Sequence, residues 1–406
     1  MNILFLSIVH KDGIESRGIY TDLLRQFRDH GHSVYIVSPR EARTGKHTEY
    51  KVHDSAHMLH VRIGNITKCG LIEKGLSMLR IERQYLNAIN RFFANTHFDL
   101  ILYSTPPITL AGVVRSLKKR NRATTYLMLK DIFPQNAVDL DMMQTRGLKG
   151  LLYKYFRRKE KKLYAISDYI GCMSPANVSY VLKHNPEVSS ETVHICPNSI
   201  EPQDVAITEE ERNTMRDKYG IPRDKVVFVY GGNLGKPQGI PFIADCLRSQ
   251  QDNAQAFFLI VGDGTEYARL ERLVRDVSPQ NVKVMQRLPK DDYDRMVSAC
   301  DVGTIFLDHR FTIPNFPSRL LSYMQAGLPV LACTDPNTDV GKVITDGGFG
   351  WWCESNDVES FSQLVDTAIH SDLTAFSENA KEYLCKHYHV AKTYRTIMEK
   401  VEQNKS

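Results

Sequence analysis

The chain has 406 residues, 42% of them hydrophobic and 24% charged, which is the balance of an ordinary globular protein. This length is more than one core usually organises, and no apolar run approaches the roughly 20 residues of a membrane span. The first ten residues are too short and uncharged for a signal peptide and read instead as a buried strand. The eight cysteines include no Cys-x-x-Cys pair, which argues against a zinc site or a disulfide framework and is typical of a reducing cytoplasm.

The charge is unevenly placed along the chain. Residues 1–200 contain 29 Lys and Arg against 17 Asp and Glu, a net charge of +12, and the remainder contains 23 against 30, a net charge of −7. Two domains would explain this asymmetry, with the basic one facing an acidic partner. The basic stretches 118–122 and 157–162 would suit nucleic acid or an anionic membrane surface, or they are solvated helix faces.

Apolar runs and helical patterns alternate through the first half, which predicts a parallel sheet with crossover helices. The predicted elements are a strand at 3–9, a helix at 18–30, strands at 33–38, 98–103 and 124–129, and a helix within 70–96. The apolar positions of this last helix, from Leu71 to Ile89, favour core packing, with a lipid-facing surface as the alternative.

A second doubly wound unit is predicted to follow a charged linker at 201–224 that contains a short helix. Its elements are strands at 226–230, 257–261 and 301–307, and helices from about residue 358 onward. In such sheets ligands bind beyond the carboxyl ends of the strands. The glycine-rich loop 231–239, the Gly-Asp-Gly at 262–264 and the loop after residue 307 could together hold a nucleotide diphosphate.

Residues 315–332 form a polar loop, an amphipathic helix, a stop at Gly327 and a strand from Pro329. Ser318 is predicted to cap this helix, with Arg319 beside the free N–H groups of its first turn. A helix N-terminus and a guanidinium both attract phosphate oxygens, so the segment predicts an anion site.

The string P-S-R-L-L-x-Y-M-x-A-G-L-P-V-L-A in this segment resembles the donor-site helix of retaining, nucleotide-sugar-dependent glycosyltransferases of family 4, which have the GT-B fold. Further resemblances to the family occur at residues 31–34, 196–200, 261–264 and 350–357. Residues 131–134 and 232–239 are similar to the bacterial branch that builds O-antigen and capsule, including N-acetylfucosaminyl transferases.

The resemblance implies an α/β fold with two Rossmann-like doubly wound domains facing a central cleft. The acceptor domain is expected at 1–200 and the donor domain at 201–385, with a helix at 386–406 packing back toward the N-terminal domain. By the same resemblance, Asp131, Arg319 and Lys236 are expected to be catalytic. Donor-binding residues are expected at Gly232, Asn233, Gln238, Gly264, Arg287, Leu288, Pro317, Ser318, Leu320 and Ser322, and acceptor or cleft residues at Gly18, Ser104 and Thr105.

The chain departs from the family pattern at functional positions. The E-x7-E carboxylates are replaced by Pro314 and Ser322, and the R-x4-K cations by Asn233 and Gln238. Ser322 can make only one weaker hydrogen bond to a ribose. Lys236 and Arg319 must then supply the charge that a nucleotide diphosphate requires.

The resemblance further implies transfer of a hexosyl or N-acetylhexosaminyl group, with retention, from a nucleotide sugar, with UDP expected. The expected acceptor is a polyprenyl-diphosphate-linked glycan, on the cytoplasmic face of an anionic membrane and without nucleic acid. No cofactor and no metal are expected, and the Asp-x-Asp strings at 139–141 and 292–294 are attributed to chance.

Two other functions stay open on the sequence alone. A UDP-sugar 2-epimerase shares the fold and the donor cleft, and a non-catalytic binding subunit of a polysaccharide assembly complex would explain the missing carboxylates. Asp131 has an alternative of its own, capping of a helix ahead of Pro134.

Overall fold

The computed structural model describes residues 1–67, 69–106, 108–147 and 150–404, with only the backbone of residues 71 and 72. Within these ranges the chain forms fourteen strands and fifteen α-helices. The strands are β1 (Asn2–Leu6), β2 (Ser33–Glu41), β3 (Glu49–His53), β4 (Ala56–Ile63), β5 (Leu100–Ser104), β6 (Thr124–Leu129), β7 (Tyr169–Cys172), β8 (Val193–Ile195), β9 (Val226–Asn233), β10 (Ala256–Asp263), β11 (Val282–Met285), β12 (Val302–Phe306), β13 (Val330–Thr334) and β14 (Gly350–Glu354). The helices are α1 (Ile19–Asp29), α2 (Leu71–Phe92), α3 (Ala111–Asn121), α4 (Gln135–Asp139), α5 (Gly150–Ile166), α6 (Pro175–His184), α7 (Glu209–Tyr219), α8 (Ile240–Ser249), α9 (Tyr267–Leu273), α10 (Lys290–Ser298), α11 (Arg319–Gln325), α12 (Val340–Asp346), α13 (Val358–Ile369), α14 (Leu373–His387) and α15 (Val390–Gln403).

The chain divides into two compact units. The first contains residues 1–201 and 390–406, and the second contains residues 202–389. The last helix, α15, therefore belongs to the first unit, where Thr393 accepts a hydrogen bond from Ser199 at 2.7 Å and Tyr394 bonds His32 at 3.1 Å. Among the described helices, none is both long enough and apolar enough to cross a bilayer.

The first unit is built on a sheet of the order β3-β4-β2-β1-β5-β6-β7-β8. All pairs are parallel except β3 with β4. Side chains alternate across a strand, so Leu4 and Leu6 pack among residues of α2, α3 and α5, while Ile3 and Phe5 pack among residues of α1 and α15. Burial on both faces is the reason that these strands read as continuous apolar runs.

The second unit has an all-parallel sheet of the order β11-β10-β9-β12-β13-β14. Its core contains side chains of β9, β10 and β12, covered by residues of α8 and α13. The predicted α/β class and the pair of Rossmann-like sheets are confirmed.

Most predicted elements are present, with three differences. The first strand ends at Leu6, and Val9, predicted to lie in it, is 62% exposed. The hairpin of β3 and β4 was not predicted, because its outer strand alternates charged and apolar residues and is exposed. The short strands β7 and β8 were missed because three or four residues carry too little periodic signal.

A buried ion pair joins α7 to the amino ends of strands β9 and β12 in the second sheet. Arg216 is 2% exposed; its Nη2 donates to Asp301 at 2.7 Å and its Nε to the Ala299 carbonyl at 2.9 Å. Its Nη1 donates to carbonyls of residues 222, 223 and 225. Asp301 in turn accepts from the Val227 N–H at 2.7 Å, so the pair fixes the start of β9 against α7.

We expect Arg216→Met to destabilise the second unit by about 3–5 kcal/mol, because it strips donors from buried acceptors and breaks a buried pair. Both tryptophans of the chain, Trp351 and Trp352, lie in β14 of this unit. Tryptophan fluorescence during urea unfolding therefore reports this unit.

The matched control is Arg223→Met, since the Arg223–Asp217 pair is more than half exposed on both sides and exposed pairs contribute little to stability. Equal midpoints for the two variants would show that the buried pair has no special role.

Candidate active site

Parallel sheets bind ligands at the carboxyl edge, where neighbouring strands send their connections to opposite sides. In the second unit this point lies between β9 and β12, since β10 and β11 follow on one side and β13 and β14 on the other. The glycine-rich residues 231–239 and the segment 307–318 leave the sheet there. The structure thus brings together two segments that the sequence predicts to contact a ligand.

Arg319, the first residue of α11, meets the glycine-rich loop. Its guanidinium carbon lies 4.2 Å from the centre of the Tyr230 ring, within the range of cation–π attraction. Gly232 has a φ of 138°, and a β-carbon at this position would lie 3.2 Å from Arg319 Nη2. Any other residue at 232 would be strained and would crowd the guanidinium.

The positive charge of Arg319 is not neutralised by a carboxylate of the described residues. Around it lie the phenol groups of Tyr230, Tyr323 and Tyr293. Burial raises the pKa of all three, to about 12 for Tyr323, so they are uncharged at neutral pH. Nη1 is shielded from solvent and has no hydrogen-bond partner in the described structure. Since a buried unpaired donor costs about 1–3 kcal/mol, an incoming anion would relieve this cost.

Asn233 and Gln238, which replace the cations of the family, bond each other. Asn233 Nδ2 donates to Gln238 Oε1 at 3.2 Å, and the same oxygen accepts the Gly235 N–H at 3.0 Å. The amide pair therefore holds the loop in place without adding charge. Lys236 is exposed next to it, where its long side chain is free to turn toward a ligand.

The Gly-Asp-Gly segment adjoins the same loop. Gly232 and Asn233 pair with Gly262 and Asp263 in the sheet. Gly264 has a φ of 153°, and a β-carbon there would lie 2.3 Å from the Leu234 carbonyl oxygen, so only glycine fits.

Arg287 and Leu288 follow β11, whose Met285 pairs with Val261. They leave the sheet at the same edge as residues 262–264. Arg287 is exposed and Leu288 half-buried.

The helix α11 differs from its prediction at the cap. Ser318 occupies the N-cap position but has helical backbone angles and makes no side-chain cap hydrogen bond. The chain enters the helix through a tight turn instead, with the Leu320 N–H bonded to the Pro317 carbonyl at 3.2 Å. The helix has only seven residues, so we assign the attraction for an anion to the Arg319 side chain and not to the helix terminus.

Two other predicted donor residues lie on this helix. The Leu320 side chain is fully buried, so neither it nor its bonded N–H faces a ligand. Ser322 is half-buried, and its hydroxyl is the polar group that this position offers in place of a carboxylate.

In the first unit, Asp131 follows β6 and is tied to Thr105. The Thr105 hydroxyl donates to the Asp131 carbonyl at 3.0 Å and accepts the N–H groups of Lys130 and Asp131. Asp131 Oδ2 accepts from Asn136 Nδ2 at 2.8 Å, while Oδ1 is buried and accepts no hydrogen bond from a described residue. Burial raises the pKa of Asp131 to about 6, against the lowering effect of hydrogen bonds from Ile132 and Asn136.

The capping alternative for Asp131 does not hold in the structure. The N-cap position of α4 is Pro134, without a side-chain cap. Asp131 is instead a poorly solvated carboxylate at the carboxyl edge of the sheet, and one of its oxygens accepts no hydrogen bond from a described residue.

Gly18 and Ser104 lie at the equivalent point of the first sheet, between β1 and β5, where neighbouring strands send their connections to opposite sides. Gly18 is the N-cap residue of α1 and donates its N–H to Asp22 at 2.9 Å. Ser104, the last residue of β5, hydrogen-bonds the Tyr20 hydroxyl of α1. Gly18, Ser104, Thr105 and Asp131 therefore lie at one edge of one sheet.

Sequence reasoning missed the aromatic surroundings of Arg319. Tyr323 stands within the motif that carries the resemblance, and its hydroxyl accepts the Gly231 N–H at 3.1 Å. Its place four residues before Gly327 does not indicate that contact. Tyr293 comes from α10, and no local pattern connects it with residue 319.

Aspartates of both Asp-x-Asp strings bond protein side chains in the described structure. Asp292 pairs with Lys218 at 3.1 Å and Asp294 with Lys290 at 2.8 Å on α10. Asp139 accepts from Gln135 at 2.8 Å within α4. No group of three or more His, Cys, Asp or Glu residues in the described structure could hold a metal ion.

Comparison with known proteins identifies the family and the fold. The family model "Glycosyltransferase Family 4" matches residues 19–204, and "Glycosyl transferases group 1" matches residues 211–383. The chain is 23% identical over 320 residues to the probable glycosyltransferase WbjE of Pseudomonas aeruginosa, covering 78% of this chain and 77% of that one. It is 24% identical over 282 residues to the putative colanic acid biosynthesis glycosyl transferase WcaI of Escherichia coli, covering 67% and 66%.

Solved structures show the same fold. The crystal structure of Anabaena HepE in complex with UDP-glucose superposes with a TM-score of 0.70 at 16% identity, covering 99% of this chain and 100% of that one. The two family models lie one on each unit and together span most of the chain. The chain belongs to the retaining glycosyltransferases of family 4, and its two sheets are those of the GT-B fold.

Proposed function

We propose that the protein transfers a hexosyl or N-acetylhexosaminyl group from a UDP-sugar to a polyprenyl-diphosphate-linked acceptor in bacterial surface polysaccharide biosynthesis. O-antigen or capsule is the expected product, as in the branch that resembles the N-acetylfucosaminyl transferases. The second unit would bind the donor and the first the acceptor. WbjE and WcaI, with WcaI named for colanic acid biosynthesis, support the pathway, and HepE, solved with UDP-glucose, supports the nucleotide.

The observation that carries the donor assignment is the uncompensated charge of Arg319. Breaking the bond between a sugar and UDP develops negative charge on the leaving phosphate, and a fixed cation aimed there lowers the barrier. Arg319 is held over Tyr230 before any ligand arrives, so little reorganisation is needed. Lys236 is another cation at this edge and can follow the phosphates as a flexible point charge.

Retention requires that the acceptor attacks from the face that the diphosphate leaves. The leaving phosphate can then take the acceptor's proton, so no protein nucleophile is required. We propose that Asp131 orients the acceptor hydroxyl or stabilises positive charge on the sugar through its unused Oδ1.

A surface of the first unit fits a peripheral position on the inner face of the plasma membrane. Exposed apolar side chains lie within the first three turns of α2 and α5; they are Leu76, Leu79, Leu151, Leu152 and Tyr155. Exposed Lys74, Arg80, Lys154 and Arg158 stand among them. Crossover helices run antiparallel to the strands, so these turns lie at the carboxyl edge of the sheet, as Asp131 does.

The membrane surface proposed here differs from the one expected from the sequence. Lys118 pairs with Asp168 at 2.7 Å and Arg120 bonds Asn90 at 3.0 Å, at the far end of α3. Residues 118–122 therefore lie at the opposite edge from Leu79. The stretch 157–162 is largely engaged in ion pairs with Glu160, Glu82 and Glu187. The Leu71 side chain lies outside the described part of the structure.

The assignment is tested by incubating the protein with candidate UDP-sugars and measuring thermal stabilisation, because a bound donor stabilises by mass action. With the UDP-sugar that stabilises, UDP should then be released only when a lipid-diphosphate acceptor is added to receive the sugar. Turnover of the UDP-sugar alone would favour an epimerase, and binding without any turnover would favour a non-catalytic subunit.

Arg319→Ala should lose about 2–4 kcal/mol of transition-state stabilisation, the range for removing one donor from a developing anion. The measured quantity is kcat/KM for sugar transfer. Arg319→Lys should recover only part of the loss, because an ammonium cannot donate as a planar fork. A loss below about fivefold, less than roughly 1 kcal/mol, would remove Arg319 from the site.

Asp131→Asn should lower kcat by roughly tenfold or more without changing the melting temperature. If the carboxylate acts in its ionised form, wild-type kcat/KM should rise with pH through about 6, the raised pKa of Asp131, and then level off. The Asn variant should lose this acidic limb. An unchanged pH profile in the variant would place Asp131 outside the reaction.

Binding to vesicles should increase with anionic lipid and fall with salt, because ions screen charges beyond ~8 Å at physiological ionic strength. Replacing Leu79 and Leu152 with Ser should weaken binding, since both are more than half exposed. Lys119→Ser, at the exposed far end of α3, is the matched control. Equal effects of the two changes, or equal binding to neutral vesicles, would contradict this surface.

A further inference from the structure

Two half-buried lysines of the first unit have no counter-charge in the described structure. Lys130 follows β6, and its Nζ donates to the Cys196 carbonyl at 3.2 Å. Lys11 lies in the loop after β1, with Nζ 5.8 Å from the centre of the Tyr20 ring. Neither forms an ion pair with a described carboxylate. Long charged side chains normally keep their ends in water or in an ion pair, so both positions require an explanation.

The groups nearest Lys130 cannot neutralise it. The titratable groups that act on it are the thiols of Cys196 and Cys172. Burial raises the pKa of both thiols, to about 12 for Cys172, so both are protonated at neutral pH. Burial also lowers the pKa of the two lysines themselves, which means that their charged forms are poorly solvated.

Both lysines lie at the same edge and on the same face of the first sheet. Ser104 pairs with Met128, two residues before Lys130, and Tyr103 pairs with Leu6 of β1. Met128, Cys196 and the strand residues beside Tyr20 all pack on the α1 side of the sheet. Lys11 therefore approaches the end of β5 from the β1 side, and Lys130 approaches it from the β6 side.

We propose that Lys11 and Lys130 form an anion subsite that binds a phosphate group of the acceptor beside the hydroxyl that is glycosylated. The inference rests on the proposed function, and it names the charged part of the substrate that the first unit recognises. An anion at this point would supply the counter-charge that both ammonium groups lack, through charge-assisted hydrogen bonds.

The position of the subsite limits the acceptor. Lys130 and Asp131 are consecutive, and the Thr105 hydroxyl holds the backbone N–H groups of both. With the reacting hydroxyl at Asp131, the phosphate must belong to the same sugar or to its direct attachment. In a diphosphate-linked acceptor, the diphosphate would then be attached to the same sugar that carries the reacting hydroxyl. The acceptor would contain a single sugar, and the enzyme would add the second sugar of the chain.

The test titrates inorganic pyrophosphate into the full-length protein saturated with UDP, so that the donor site is occupied. Wild type should bind pyrophosphate, and the double variant Lys11→Met with Lys130→Met should bind roughly tenfold or more weakly. Lys183→Met, an exposed lysine at the end of α6, is the control and should bind as wild type does. Binding by the double variant within about twofold of wild type, or no binding by wild type, would overturn the subsite.

A second titration, with farnesyl diphosphate, distinguishes the two sources of the anion. Tighter binding than pyrophosphate that also depends on the two lysines is expected for an acceptor headgroup. Binding of pyrophosphate alone would make this a site for free phosphate and would overturn the acceptor assignment. Melting temperatures of the ligand-free variants should be no lower than that of wild type, because an ammonium group buried without a counter-charge costs stability. Absence of UDP binding would count against the proposed function alone, since the subsite belongs to the first unit.

Discussion

The account of the donor site depends on one unbalanced charge. A guanidinium is held against the face of Tyr230, among phenols that burial keeps neutral, and one of its nitrogens has no partner in the described structure. No described carboxylate of the second unit neutralises this charge. An anion that binds there therefore recovers the free energy that is lost by burying an unpaired donor. Gly232, which lacks a side chain next to Arg319, keeps the approach to it open.

The same principle applies to the first unit, with different residues. There, one carboxylate and two ammonium groups at the sheet edge are poorly solvated and lack opposite charges. Burial raises the pKa of Asp131 to about 6, and the two lysines have no described carboxylate as a counter-charge. Residues that serve only stability are arranged differently, as the Arg216–Asp301 pair shows with its full set of hydrogen bonds.

Sequence reasoning predicted the α/β class because both-face burial leaves strong apolar runs such as β1 and β9. It predicted the segments that meet between β9 and β12, since glycine-rich loops and strand ends can be recognised from short stretches of sequence. It could not predict that Asn233 and Gln238 bond each other, or that Tyr293 lies beside Arg319, because those contacts join distant residues. Capping by the Ser318 side chain was wrong because the chain enters the helix through a local turn, in which the Ser318 backbone is already helical. No sequence pattern predicts that Lys11 and Lys130 are partly buried.

The most direct test of the central claim compares the affinities of UDP and UMP for wild type and for Arg319→Met by calorimetry. If the unpaired guanidinium receives the terminal phosphate, UDP should bind wild type roughly tenfold or more tightly than UMP, and the variant should bind the two nearly equally. A preference for UDP that survives in the variant would contradict the account, because the phosphate would then be held by other residues.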